Sequence, residues 1–472
     1  MDRTQSPTMR SPLAVSACCL LVALALAAGC GNSNSSPEPG GAPGGGPPQS
    51  AGGAGKIRLT YWVTPEVKDL AGMEAQTPEF GDYEKIQAAE YTKDHPEVEI
   101  EVQALASEEL TKKVTTAIAS GSPPDVLKDY LGRTSGYAHQ DLLEDFTSVV
   151  SAADRKDYDP FYLEQYTING KLHGLPTYAW LAHMAVNRAI WEAAGKADLL
   201  PKEADGSWTY DQFLTALRAV ARKDSLWPFW AQFASEQGDY GNLAFFWGHG
   251  AFLYTGGDYS KITLNTPAGV KGLDFLVQMA REGLIPPGAT TMASSELENM
   301  VGKGQTAAWG DSLYVFHRIE IAQKEKRIQV PVKLQIVQYP HAPGLKSPLP
   351  VGPTGFVVFK QKDARRRDAA IAFAQWLNQT KFQEVTCQNI REYPTRLSAR
   401  PKLEKDPNFR LVQKWAQENG KADLGLTASG YYKVRVAAIP HFQAAILGQK
   451  TAAQALADYE KEANQILADQ KH

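Results

Sequence analysis

Ile57-Arg58-Leu59-Thr60-Tyr61-Trp62-Val63 is a β-rich run, and its place at the head of an alternating series decides the fold. Tyr83 to Lys93 carries a helical pattern, Val98, Ile100 and Val102 alternate as a strand, and Glu108 to Ala119 reads as a helix running up to Gly121. Strand, helix, strand, helix predicts an α/β protein with a largely parallel sheet. A further short strand is expected at Asp125-Val126-Leu127, with a helix around Ser135 to Gln140. Lys171 to Leu175 and Leu181 to Val186 read as strands around a turn at Pro176. Past Asn187 helices dominate, over Arg188 to Ala194, Thr209 to Ala221, Pro267 to Glu282, Ser294 to Gly302, Ala364 to Asn378, Pro407 to Asn419 and Thr451 to Ala468. Strands near Thr306 to Trp309 and Gly355 to Phe359 interrupt them.

Upstream of this body the chain changes character twice. Arg3 and Arg10 precede an apolar run from Leu13 to Ala28 that is too short to span a bilayer, and small residues at 27–29 suit a signal peptidase. Residues 1–29 therefore read as a signal peptide. Cys30 directly after the cut resembles a bacterial lipobox, with Ala27 where a Leu is usual, and is expected to be lipidated and to hold the protein to the cell membrane on its periplasmic or cell-surface side. Residues 30–55 hold no aromatic or branched aliphatic side chain and read as a disordered Gly/Pro/Ser tether. Of the four cysteines, Cys18 and Cys19 leave with the signal peptide, so Cys387 is left unable to form an intramolecular disulfide and reads as a small buried apolar residue. The net charge is −3 with no long basic tract, which excludes a nucleic-acid footprint. About 415 residues remain, enough for two or three domains.

Leu59-Thr60-Tyr61-Trp62, Gly121-Ser122-Pro123-Pro124-Asp125-Val126, and Asn169-Gly170-Lys171-Leu172-His173-Gly174-Leu175-Pro176 resemble the extracellular solute-binding proteins of bacterial ABC importers, the group that includes maltose-binding protein. The order continues with Ala185-Val186-Asn187-Arg188, Ser207-Trp208-Thr209-Tyr210-Asp211-Gln212-Phe213, Val301-Gly302-Lys303-Gly304-Gln305-Thr306-Ala307-Ala308 and Arg391-Glu392-Tyr393-Pro394-Thr395-Arg396. The resemblance implies a two-lobe, periplasmic-binding-protein-like fold (type II) with a hinge and an interlobe ligand cleft. It implies a monomer that captures a solute for the permease subunits of an ABC transporter and needs no cofactor. The expected lobes are 56–179 plus 351–389 and 180–350 plus 390–472, with the chain crossing near Tyr178 to Leu181, Pro350 and Asn389. The long segment from Pro65 to Phe80 departs from the leaner family pattern and reads as a loop rimming the cleft or as surface padding.

Ligands of open α/β sheets bind outside the carboxyl ends of strands. Here those ends deliver Trp62 and Glu66, then Asp129, Tyr130 and Arg133, then Tyr178 and Trp180, then Trp309, Asp311 and Tyr314. An aromatic with a carboxylate at each entry suits a carbohydrate, whose C–H face stacks on a ring while its hydroxyls donate to the acid. Trp230 and Gln232 from the stretch Trp227 to Phe233, and Tyr431 and Arg435 from a late helix, complete the candidate set. Trp62 reads equally as a core aromatic, Phe245, Phe246 and Trp247 as core, and Asp125 as a residue holding its own loop. A secreted glycan hydrolase would use Asp129 and Asp311 as its acid pair, but no hydrolase signature accompanies them. A ferric site at Tyr431-Tyr432 and a polyamine site among the acidic loops are the remaining readings. No metal-ligand spacing of His or Cys supports a metal.

Overall fold

The computed structural model describes residues 55–202, 205–254, 259–422 and 424–470. Cys30, the expected signal peptide 1–29 and all of the expected tether but Gly55 lie outside the described residues. Among the described residues, no helix is long and apolar enough to cross a membrane.

In chain order the strands are β1 (Ile57–Val63), β2 (Val98–Ala104), β3 (Val126–Tyr130), β4 (Thr167–Ile168), β5 (Lys171–Leu172), β6 (Leu175–Leu181), β7 (His183–Asn187), β8 (Phe229–Trp230), β9 (Ala308–Asp311), β10 (Leu334–Val337), β11 (Leu349–Val358), β12 (Tyr393–Pro394) and β13 (Lys421–Ala422). Among the described residues they form a seven-stranded sheet in the order β12-β6-β11-β3-β1-β2, with β13 on β11, and a four-stranded sheet in the order β10-β7-β9-β8. β1 is parallel to both β2 and β3, as the opening strand-helix alternation predicts. β11 runs antiparallel between β3 and β6. All ten of its residues are buried, the pattern of a central strand covered on both faces.

The turn expected at Pro176 is absent, because Pro176 lies inside β6. Its partner is Gly355, at a register shift in the β6–β11 ladder. A proline is tolerated at such an irregularity, where no ladder N–H is required. The Pro176 carbonyl instead accepts from Thr395 Oγ1 at 2.7 Å and Asn378 Nδ2 at 2.9 Å. The turn falls earlier, at Asn169-Gly170, whose φ angles of 52° and 76° close the β4–β5 hairpin.

Only Ala182 separates β6, in the seven-stranded sheet, from β7, in the four-stranded one, and its N–H donates to the Pro350 carbonyl at 2.8 Å. The chain thus passes between sheets at 182 and returns between β10 and β11. The short β12 then pairs with β6, so residues 393–394 belong to the seven-stranded sheet. Helix starts follow local chemistry. Thr209 caps Tyr210–Val220 and Thr451 caps Ala452–Asp469, each in a reciprocal capping box with Gln212 and Gln454. Asp125 bonds farther than its own loop: it accepts from the Thr60 N–H at 2.7 Å and from Arg366 through both oxygens, tying β1 to the helix Ala364–Leu377. Cys387 is free and fully buried.

Candidate functional site

The carboxyl ends of β1, β3, β6 and β9 open on one cleft lined from both sheets. Glu66, Asp129, Tyr130, Arg133, Tyr178, Trp180, Asp311, Tyr314 and Arg435 all line it. One wall is aromatic. Tyr130 stacks on Trp180 with ring centres 6.0 Å apart, and Trp180 meets Tyr240, from the helix Asp239–Trp247, at 5.0 Å. Trp180 can lie flat over β11 because its cross-strand partner is Gly352, where an added Cβ would fall 1.9 Å from the indole.

The acids of the cleft are already matched. Asp129 binds Arg133 through both oxygens, Nε to Oδ2 at 2.8 Å, one helical turn along. Glu66 is bridged by Lys128 at 3.1 Å and accepts the Tyr178 hydroxyl. Asp311 pairs with Arg318 at 2.8 Å, and Arg318 also faces Glu298 at 3.2 Å. Asp239 holds Arg435 at 2.7 Å. Burial pushes the Asp311 carboxyl up, against the opposing pull of Arg318. The exception is Glu392, 3 % exposed, which accepts from the Ser312 hydroxyl through Oε1 and leaves Oε2 without a partner. Burial raises its pKa well above the usual carboxylate range, opposed by the Ser312 hydrogen bond and reinforced by Asp311 and Glu66.

Five candidates sit elsewhere. Trp309 is fully buried and in register with Trp230 on the neighbouring strand, and the two share a core cluster with Leu297, Met300, Val315 and Ile319. Trp309 stands two residues short of the strand end, so helices Glu296–Gly302 and Tyr314–Lys324 cover it and only Asp311 reaches the cleft. Trp62 is buried in the main core with Lys113 over its ring at 4.9 Å. Gln232 and Tyr431 line a second, smaller cavity that shares Arg435 with the cleft. Tyr431 stands behind the aromatic wall, its hydroxyl 3.2 Å from that of Tyr130 and 3.2 Å from Asp239. Tyr432 turns away to Glu236 at 3.3 Å.

Sequence reasoning missed Lys128, Tyr240, Ser312, Arg318, Thr354 and Glu392, which also line the cleft. Ser312 and Arg318 could have been found by continuing past Asp311, first into the turn and then along the helix Tyr314–Lys324. Tyr240 and Thr354 carry no local signal, since distant pairing brings them in.

Similarity to known proteins is extensive in fold and low in sequence. A Brucella abortus binding protein is 21 % identical over 309 residues, covering 65 % of this chain and 66 % of the relative, so the chain spans just under two-thirds of that relative's length. A Thermotoga lettingae ABC transporter solute-binding protein bound with α-D-tagatose superposes with a TM-score of 0.73 at 20 % identity, over 87 % of this chain and 100 % of that one. The acarbose-binding receptor of Streptomyces glaucescens gives 0.72 at 15 % identity, over 88 % and 99 %. A maltose-bound T. maritima protein gives 0.71 at 18 %, over 87 % and 99 %. The two-sheet fold with its intervening cleft is therefore that of sugar-binding proteins of this type. The profile described as bacterial extracellular solute-binding protein matches residues 87–410, and the chain belongs to that family.

Proposed function

We propose that this chain is the substrate-binding lipoprotein of an ABC transporter, and that it captures a carbohydrate between two lobes built on the two sheets and delivers it to the permease. The observation that carries the reading is the Tyr130–Trp180–Tyr240 wall facing acids that already hold internal cations. A neutral ring can stack on such a wall and exchange hydroxyl hydrogen bonds with carboxylates and guanidinium groups whose charges are compensated. A polyamine would need acids without cations, and Lys128, Arg133, Arg318 and Arg435 occupy most of them. The sugars named for the T. lettingae, S. glaucescens and T. maritima proteins support the same class.

Ligand held by one lobe and completed by side chains of the other shifts the population toward a closed form, which the membrane subunits then recognise. Binding proceeds without turnover. Isothermal titration of residues 56–472 against an oligosaccharide panel, with spermidine and ferric citrate as controls, tests the reading. Micromolar or tighter heat from a sugar with no product formed supports it, and heat from a control alone overturns it. We also assign the membrane anchor to a lipid on Cys30. Cys30→Ser moves the protein from the membrane fraction to the soluble one, and a variant that stays membrane-bound removes the anchor assignment.

A further inference from the structure

The main cleft does not end at Tyr314 and Arg318. Beyond them lies a second concavity, and it shares Thr64, Tyr314 and Arg318 with the first. One side is the end of β1 and the loop after it, with Pro65 and Phe80, together with Ala104 to Ala106 at the end of β2. The other side is Glu298, Ile321 and Arg327 from the four-stranded half. We propose that this compartment continues the binding site, taking the further rings of a neutral oligosaccharide chain, with Phe80 as a stacking platform. The inference rests on the carbohydrate reading above and names the length of its ligand.

Three observations carry it. First, Phe80 is a large apolar side chain left 42 % exposed, beside a cavity that already opens on an aromatic-walled cleft. Its position at the rim of a concavity continuous with that cleft leaves part of the ring open to a ligand lying there. Second, the loop bearing Phe80 is built, not slack. Thr77, fully buried, donates to the Met73 carbonyl at 2.9 Å and accepts the Leu70 N–H at 2.9 Å, while Asp69 N–H reaches the Thr77 carbonyl at 2.8 Å. Val67 and Leu70 are buried in a core cluster. Gly81 closes the loop at φ 98°, and an added Cβ there would fall 2.6 Å from Ala104 Cβ, so only glycine lets the Phe80 end of the loop press against β2. Lys68 lies 5.7 Å over the Phe80 ring and ion-pairs at 2.7 Å with Glu325, a residue just beyond the helix that carries Ile321.

Third, the charges of the compartment are compensated as in the main cleft. Glu298 pairs with Arg318 at 3.2 Å and with Arg327 at 3.1 Å, and Arg327 also binds Glu325 at 2.7 Å. Among the described residues, an anionic or cationic chain would meet no lining charge there without an opposite partner. A neutral polyhydroxyl chain finds donors and acceptors from these paired groups and an apolar face at Phe80.

The test is titration of residues 56–472 with homologous glycan series from monosaccharide to hexasaccharide, for the wild type, Phe80→Ala and Phe80→Tyr, with thermal unfolding as a check on integrity. The wild type binds longer chains more tightly. Phe80→Ala loses about tenfold on the longest chains, the loss of one ring stack, and holds the shortest ligand within about twofold. Phe80→Tyr, which keeps a ring, retains the length dependence. An affinity that does not rise with chain length overturns the extension while leaving the carbohydrate reading standing, as does an equal loss on all lengths in Phe80→Ala. Silence from every sugar overturns both.

Discussion

At the scale of single residues, the cleft is a set of matched charges with one unmatched acid. Burial raises the Glu392 carboxyl well above its unfolded value, which lies at about 4.3. Between the unfolded and folded pKa values the native state binds more protons than the unfolded chain, so this residue makes stability fall as pH rises toward its folded pKa. Glu392→Gln removes that dependence. We expect its melting temperature to exceed the wild-type value by a margin that widens from pH 4 to pH 8, and equal melting at both ends would refute the protonated state. Single residues are also the least legible in the sequence. Asp129, Trp180 and Asp311 can be found because strand ends in α/β sheets point at ligands. Trp309 misleads because nothing local distinguishes an aromatic at a strand's end from one two residues earlier under a helix, and Trp230, though last in its strand, packs against Trp309 in the same core cluster. Glu392 stands in a stretch that carries the family resemblance, but nothing local signals that it is buried against Ser312 from another part of the chain.

At the scale of elements, the seat of Trp180 depends on the neighbouring strand. Gly352→Ala places a methyl group inside the indole's position. The expected cost is about 1–3 kcal/mol of overpacking, together with weakened sugar binding as the ring is displaced from Tyr130 and Tyr240. The decisive measurement is a double-mutant cycle. If the clash is the cause, the stability cost of Gly352→Ala vanishes in a Trp180→Ala background, and an unchanged cost would place it elsewhere in β11. Strands and helices with strong periodicity are legible from sequence, including the opening βαβα and the capped helix after Thr209. Pro176 reads wrongly as a turn because proline is usually punctuation. Only the register shift opposite Gly355 makes room for it within a strand, and that shift is set by a partner far along the chain.

At the scale of the whole molecule, ligand should couple the two sheets. Saturating sugar at about a hundred times Kd adds about 2.7 kcal/mol to stability by mass action, with a rise of the melting temperature. If closure accompanies binding, small-angle scattering shows a reduced radius of gyration in the same titration. A rise in melting temperature with no change in radius would mean capture without closure.

The strand order has a consequence for biosynthesis. β11 is the sole bridge between β6 and β3 within the seven-stranded sheet, and it is encoded far downstream of both. Until residue 358 has been made, the first half of the chain holds the three-stranded fragment β3-β1-β2 and the lone strand β6, with no strand to join them. The four-stranded sheet is complete by residue 337. A polypeptide emerging from the ribosome therefore carries an unfinished amino-terminal half for most of its synthesis, since long-range pairing must wait for its partner.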